Sequence, residues 1–220
     1  MKIFLDTADV SMIGPAYETG LIDGVTTNPT LILRSGRTLE DVAQELSGYL
    51  NLESISTEVV ADTAEEMLEQ AQKFITISPA ITIKLPCTVE GLKACKELSK
   101  VGVKTNVTLV FSVAQAILAA KAGATYISPF VGRWEDNSVD GIELIQKIRK
   151  VYDQLDYAPN ILGASVRDVR QVEKCALFGA DVVTIPPLVF WGMYKNIMTE
   201  KGLELFQKDW DQVQKQEENK

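Results

Sequence analysis

A lysine stands in the middle of a strand-like run. Residues 81–85, "ITIKL", alternate β-branched and other side chains and are followed by Pro86, a pattern that predicts a β-strand. Alternate side chains of a strand share a face, so the three apolar residues lie on one face and Lys84 lies on the other. An isolated strand lysine is usually solvated, because burying its charge is costly. If this second face is buried, Lys84 becomes a candidate for chemistry.

The chain contains no histidine, and this narrows the chemistry that it can perform. Ser-His-Asp and Cys-His arrangements are excluded, and so is zinc bound through histidine. Acid–base catalysis would have to use carboxylates, hydroxyls, lysine or water. Cys87, Cys95 and Cys175 are not spaced like metal ligands, and their odd number in a chain without an export signal predicts reduced thiols in a cytosol.

Composition argues against two classes of partner. The 220 residues carry a net charge of −8 without a basic tract, so neither nucleic acid nor an anionic membrane surface is an expected partner. No apolar run is as long as a membrane span. The start, "MKIFLDTADV", has one basic residue and a short apolar run, which is not the pattern of a signal peptide, and we therefore expect a cytoplasmic protein.

Eight strand-like runs alternate with helix-like runs along the chain. Between consecutive strands there is room for one helix, and helix signals occur there. One example is Thr63, which is placed as an N-cap before an amphipathic run that continues to residue 77. The strands are predicted at residues 2–6, 23–27, 54–60, 81–85, 104–110, 125–130, 160–165 and 182–186.

Eight βα units predict a single (β/α)8 barrel, the α/β fold known as the TIM barrel, over residues 1–199. An open doubly wound sheet is the alternative, and it usually has a glycine fingerprint after its first strand. Here the first strand ends in "LDTADV", which has no glycine, and this favours the barrel. On the fifth strand, alternation places Asn106 and Thr108 on the inward face and Leu109 on the outward face.

One further helix is predicted at residues 200–216, beyond the eight units. Its apolar residues recur at helical spacing and form one stripe, which consists of Leu203, Phe206, Trp210 and Val213. The barrel is complete without this helix, so the stripe must cover either a barrel surface or a neighbouring subunit. We expect the C-terminal helix and tail, residues 200–220, to form an oligomer contact.

Polar residues stand at the end of nearly every predicted strand. In such a barrel the active site lies at the carboxyl ends of the strands. Taken singly, these residues have structural explanations, such as an N-cap for Asp6 or a turn for Asn28. Arg133 can pair with Glu135 or Asp136 on the surface. Their agreement nevertheless favours a site. The candidates are Asp6, Asn28, Glu58, Lys84, Asn106, Thr108, Ser128, Phe130, Arg133, Ser165 and Arg167.

Five stretches resemble the small transaldolase family, which includes the fructose-6-phosphate aldolases. They are "LDTAD", "DGVTTNPTLI", "IKLPCTVEGLKA", "TNVTLVFSVAQAILAAKAGATYISPFVGR" and "GASVRDVRQV", and the resemblance covers essentially the full chain. The blocks "TTNPT" and "ISPFVGR" are the most specific. The resemblance implies a (β/α)8 barrel and aldol cleavage and transfer on sugar phosphates through a lysine Schiff base. It also implies no metal or organic cofactor, and assembly as a homo-pentamer or a homo-decamer.

The resemblance also implies roles for the candidate residues. Lys84 matches the Schiff-base lysine, and Asp6 matches the acid that assists proton transfer at C–C cleavage. Glu58 and Thr108 match the pair that holds a catalytic water. The positions that match binding of substrate or intermediate are Asn28, Asn106 and Ser128, and those that match the phosphate site are Arg133, Ser165 and Arg167.

Phe130, at the aromatic position beside the substrate, separates two activities within the family. Aldolase members resemble "PYV" there and have glutamine at the position of Glu58, so this chain has the transaldolase combination. The expected activity is transfer of a dihydroxyacetone unit between sugar phosphates in the pentose phosphate pathway. Three alternatives stay open: a fructose-6-phosphate aldolase, a barrel that isomerises or binds a sugar phosphate without a Schiff base, and a non-catalytic ring-forming scaffold.

Overall fold

Eight parallel strands close into a barrel in chain order. The computed structural model of the protein describes residues 1–218. The first strand pairs with both the second and the eighth, which closes the sheet and confirms the predicted (β/α)8 barrel. The strands are β1 (Lys2–Asp6), β2 (Gly24–Thr26), β3 (Ser54–Glu58), β4 (Ile81–Pro86), β5 (Thr105–Val110), β6 (Tyr126–Pro129), β7 (Asn160–Gly163) and β8 (Val182–Ile185).

Helices surround the barrel, and two helices instead of one follow β2, β6 and β8. The predicted N-cap at Thr63 is confirmed, because its hydroxyl accepts from the backbone N–H of Glu66 in a capping box. The helices are α1 (Val10–Glu18), α2 (Pro29–Ser35), α3 (Leu39–Leu46), α4 (Ala64–Ile75), α5 (Val89–Lys100), α6 (Val113–Lys121), α7 (Val131–Glu135), α8 (Gly141–Leu155), α9 (Val169–Leu177), α10 (Pro187–Gly192) and α11 (Ile197–Glu218).

The two faces of the strands pack into two separate apolar clusters. Outward residues such as Ile83 and Leu85 are fully buried in the large cluster between the sheet and the helices. A small cluster fills the barrel interior and consists of Phe4, Tyr126, Leu162, Ala164 and Val182. Lys84 lies opposite Glu58 on β3 and Asn106 on β5 in the strand register. The alternation in "ITIKL" therefore does turn the lysine inward.

Alternation fails near the end of β5. The β5–β6 register shifts between Val107 and Val110, and Leu109 has a left-handed backbone with φ of 59°. A non-glycine residue rarely adopts this conformation, and such residues concentrate at functional sites. Alternation predicted that Leu109 points outward, but Leu109 lines the strand-end cavity described below, and the irregularity of β5 at this point accounts for the difference.

The last helix, α11, is longer than the predicted helix 200–216. It begins at Ile197, where the Asn196 side chain accepts from the Met198 backbone N–H at 2.8 Å. None of its described residues is buried. The predicted stripe is 41–69% exposed, so it does not cover the barrel of its own chain. Residues 219 and 220 of the predicted tail lie outside the described residues. Within residues 1–218, no helix is long and apolar enough to cross a membrane.

Candidate active site

A cavity of about 540 Å³ opens at the carboxyl ends of the strands. All the predicted site residues line it except Asn106. Asn106 is fully buried beneath the wall, where its Oδ1 accepts from the Ser128 hydroxyl at 2.7 Å and its Nδ2 donates to Ser56 Oγ at 3.4 Å. The structure therefore brings nearly all of the predicted site residues together in one cavity.

Lys84 is buried and its charge is paired. The residue is only 6% exposed. Its Nζ lies 3.0 Å from Glu58 Oε2 and also donates to the Thr27 carbonyl at 3.0 Å. A buried ammonium is tolerated when it has an anionic partner and its hydrogens are bonded. The pair places a potential proton acceptor directly beside a potential nucleophile.

Asp6 faces the same cavity from the end of β1. Its Oδ1 accepts from the Thr26 hydroxyl at 2.8 Å, and Thr26 Oγ1 lies 2.5 Å from Thr184 Oγ1. Burial raises the pKa of Asp6 above its ordinary value, although the Lys84 charge and the Thr26 hydrogen bond act in the opposite direction. A carboxyl group with a raised pKa is suited to accept and return a proton near neutral pH.

Thr108 offers a hydroxyl to the cavity that is not used elsewhere. Its Oγ1 is buried and has no hydrogen-bond partner within the described residues. Buried polar atoms are usually bonded, so an unpaired one at a cavity wall is available to a water or to a ligand. The neighbouring bulge at Leu109 sits at the same point of β5.

The two predicted arginines lie at the outer rim of the cavity, and each contacts a different neighbouring side chain. The Arg133 guanidinium lies over the Phe130 ring at 4.8 Å from its centroid, a cation–π geometry. Arg167 forms a forked ion pair with Asp136, in which Nη2 lies 2.6 Å from Oδ2 and Nη1 contacts Oδ1. The surface pairing considered for Arg133 with Asp136 thus belongs to Arg167 instead.

The other two predicted residues at the rim are Asn28 and Ser165. Asn28 caps α2, since its Oδ1 accepts from the Leu31 backbone N–H at 3.0 Å, as a turn or cap explanation would require. Ser165 has φ of 59°. The backbone at Gly132 approaches it so closely that a Cβ there would lie 2.1 Å from the Ser165 carbonyl oxygen, so only glycine allows α7 to pack against this loop.

Eight residues that line the cavity were not among the candidates predicted from the sequence: Thr26, Pro29, Thr30, Leu31, Arg34, Leu109, Ala164 and Thr184. Thr184 could have been predicted. Residues two positions apart on a strand share a face, and Val182 on β8 lies in the interior cluster, so Thr184 also faces inward. Arg34 lies on α2, the first of the two helices that follow β2, and only one helix was predicted between β2 and β3. No group of three or more histidine, cysteine, aspartate or glutamate side chains arranged to hold a metal occurs in residues 1–218.

The fold and the site define a class of protein. A closed (β/α)8 barrel with a buried, ion-paired lysine, two carboxyl groups and a hydroxyl at the strand ends is the architecture of a barrel enzyme with its site at this face. The family model for "Transaldolase/Fructose-6-phosphate aldolase" matches residues 3–218.

Curated relatives agree with the family model. The chain is 51% identical over 210 residues to a "Probable transaldolase" of Cereibacter sphaeroides, with 96% of this chain and 95% of the relative covered. It is 52% identical to one of Caulobacter vibrioides, with 96% of each chain covered. It is 51% identical to one of Geobacter metallireducens, with 98% of this chain and 100% of the relative covered. The chain belongs to the transaldolase/fructose-6-phosphate aldolase family and is an enzyme.

Proposed function

We propose that the enzyme is a transaldolase that uses Lys84 as a Schiff-base nucleophile. It would move a dihydroxyacetone unit from a ketose phosphate, sedoheptulose 7-phosphate or fructose 6-phosphate, to an aldose phosphate. The observation that supports this most is the buried lysine, 6% exposed, held at 3.0 Å by Glu58 in a cavity that Asp6 also lines. The names of the relatives support the same activity.

The first half of the reaction forms the iminium. An ammonium cannot attack a carbonyl, and Glu58 at 3.0 Å can take its proton. The Lys84 amine then attacks C2 of the ketose, a C–N bond forms, and the carbonyl electron pair moves to oxygen. Loss of that oxygen as water gives the iminium. The unpaired Thr108 hydroxyl and the Glu58 carboxylate would hold the water that carries protons in these steps.

The second half breaks and remakes a C–C bond. Asp6 accepts the proton of the C4 hydroxyl, the C3–C4 bond breaks, and its electron pair moves to the iminium nitrogen to give an enamine. The shortened aldose leaves with a new carbonyl group. A second aldose phosphate is attacked by the enamine carbon, Asp6 returns the proton to the new hydroxyl, and hydrolysis frees Lys84. The raised pKa of Asp6 supports this exchange role.

The rim would bind the rest of the substrate. We assign the phosphate to Arg133, Ser165 and Arg167, because guanidinium groups offer forked donors that match phosphate oxygens. Arg167 can bind phosphate only in competition with Asp136. Asn28 and Ser128 line the wall nearer the strands and would bind hydroxyl groups of the sugar. Asn106 would act from below by fixing the Ser128 hydroxyl.

The Phe130 ring supports transfer over free cleavage. A phenyl group has no proton to give to the enamine, whereas a tyrosine hydroxyl could donate one or order a water. Fructose 6-phosphate should therefore be converted to product only when erythrose 4-phosphate is present as acceptor. Release of dihydroxyacetone without an acceptor would make the enzyme an aldolase, and no turnover in either assay would overturn both activities.

We also propose that α11 mediates homo-oligomer assembly, as a pentamer or a decamer. Its stripe is exposed in the single chain, and an exposed apolar stripe of this kind is typical of an interface. Phe206→Glu with Trp210→Glu should lower the particle mass in light scattering. Leu177→Glu, at a residue 80% exposed on α9, is the matched control. An unchanged mass in the double variant would exclude α11 as the contact.

The setting of the activity is part of the same proposal. The substrates assigned above are interconverted in the pentose phosphate pathway, and we propose that the enzyme acts in the cytoplasm without a metal or an organic cofactor. Dialysis against a chelator should leave its activity unchanged, and lost activity that returns with a divalent metal would contradict the metal-free mechanism.

A further inference from the structure

Asp6 is held by a chain of two buried hydroxyl groups. Thr26 on β2 and Thr184 on β8 flank β1 on its two sides, and they are 2% and 4% exposed. Thr26 Oγ1 lies 2.8 Å from Asp6 Oδ1, and Thr184 Oγ1 lies 2.5 Å from Thr26 Oγ1. The chain thus runs from one neighbouring strand to the other and ends on the carboxyl group.

The direction of this chain follows from counting hydrogens. A threonine hydroxyl has one hydrogen to donate and two lone pairs to accept with. The ionised carboxylate of Asp6 can only accept, so Thr26 must donate its hydrogen to Oδ1. The contact between the two threonines must then use the hydrogen of Thr184. Such a chain is polarised, because a hydroxyl that accepts a hydrogen bond becomes a stronger donor.

The chain occupies one oxygen of Asp6 and leaves the other for chemistry. Oδ2 has no hydrogen-bond partner within residues 1–218, and Asp6 lines the cavity. Lys84 and Glu58 are the charged groups that face this carboxyl group from β4 and β3. Because Oδ1 can keep accepting from Thr26 when Oδ2 takes up a proton, the chain need not rearrange during turnover.

We propose that Thr184 is a positioning residue for proton transfer at Asp6 and acts through Thr26. By donating to Thr26, it fixes the rotation of the carboxyl group and keeps Oδ2 turned toward the C4 hydroxyl of the substrate. This inference rests on the aldol chemistry proposed above, in which Asp6 exchanges the C4 proton. It assigns a role to a threonine on β8 whose hydroxyl contacts Thr26 and reaches Asp6 only through it.

Thr184→Val tests the inference, since valine keeps the shape of threonine and removes its only donor. Breaking one hydrogen bond in the chain should lower kcat for C–C cleavage about 3- to 10-fold. Borohydride trapping of the ketose on Lys84 should be unchanged, because Schiff-base formation precedes the step at Asp6. The acid limb of the pH–rate profile should move to higher pH, because a weaker Thr26 donor stabilises the carboxylate less. Thr184→Ser should restore both readouts.

A double variant and a matched control separate positioning from a structural effect. In a Thr26→Val background, Thr184→Val should cost no further activity, because its effect passes through Thr26. Thr82→Val breaks a similar buried hydroxyl pair, with Ser54 at 2.8 Å, and should leave the acid limb in place. The inference is overturned if trapping falls as much as cleavage, if serine does not rescue, or if the two valine variants are additive. Absence of trapping in the wild type would overturn the proposed function and the inference with it.

Discussion

Replacing Lys84 by methionine is expected to abolish turnover and also to destabilise the fold. Methionine has nearly the length of lysine and no amine, so the nucleophile is lost while the space stays filled. The variant also leaves the Glu58 carboxylate without its partner at 3.0 Å and the Thr27 carbonyl without a donor at 3.0 Å. Because these contacts are lost, the variant tests both the nucleophile and the way in which the fold accommodates the buried charge of Glu58.

The magnitude follows from the burial of the pair. Removing one partner of a buried ion pair costs roughly 3–5 kcal/mol, because the other charge stays desolvated. The side chains of Lys84 and Glu58 are 8% and 16% exposed, so the carboxylate keeps some contact with water and the lower end applies. We expect the free energy of unfolding to fall by about 3 kcal/mol. Adding Glu58→Gln should recover most of this loss, since no unpaired charge then remains.

Urea unfolding of four proteins measures the effect: wild type, Lys84→Met, Glu58→Gln and the double variant. Lys147→Met is the matched control, because Lys147 forms an exposed pair with Glu143 at 2.9 Å and should change stability little. The reasoning is refuted if Lys84→Met is as stable as wild type, or if the double variant is no more stable than Lys84→Met. Either result would mean that Glu58 is not held by the lysine.

Four further substitutions test the site. Arg167→Ala should raise KM for fructose 6-phosphate about tenfold with little change in kcat, whereas Asp136→Asn should lower KM about two- to threefold, because it removes the competitor of the phosphate. Phe130→Tyr should raise the ratio of dihydroxyacetone release to transfer, with a stability change under about 1 kcal/mol. Asp6→Asn should unfold at higher urea than wild type at pH 8. Burial raises the pKa of Asp6, so the stability of the wild type falls as pH rises through the interval between the ordinary pKa and the raised pKa. The stability advantage of the asparagine variant over wild type therefore shrinks toward low pH.

Each of these predictions has an outcome that contradicts it. Unchanged KM in Arg167→Ala would remove this arginine from the phosphate site, and a raised KM in Asp136→Asn would make the aspartate a support instead of a competitor. If Phe130→Tyr leaves the product ratio unchanged, the ring does not set the activity. An Asp6→Asn variant that is less stable than wild type at pH 8 would show that the lost contacts with Lys84 and Thr26 outweigh the relief of burial.

Short-range patterns were sufficient to predict the barrel and the position of its lysine. Strand alternation turns Lys84 inward because the side-chain period is two, and the register then sets it opposite Glu58. The predicted N-cap at Thr63 depends only on residues within one helical turn. These features are encoded locally, so a single sequence predicts them.

Features that depend on distant contacts were not predicted. Leu109 lines the cavity because of a bulge at the end of β5, which alternation along one strand cannot show. The partner of Arg167 is Asp136, 31 positions away, and that pairing depends on how α7 packs through Gly132. Thr184 reaches Thr26 across β1, a contact that exists only because the barrel closes.

The central claim is that Lys84 forms a covalent iminium with the ketose. The direct test is to incubate the enzyme with fructose 6-phosphate, reduce it with borohydride, and locate the sugar adduct by peptide mass spectrometry. We predict one adduct, on Lys84, with none in Lys84→Met. An adduct on another lysine, or an active enzyme that yields no adduct, would contradict the account.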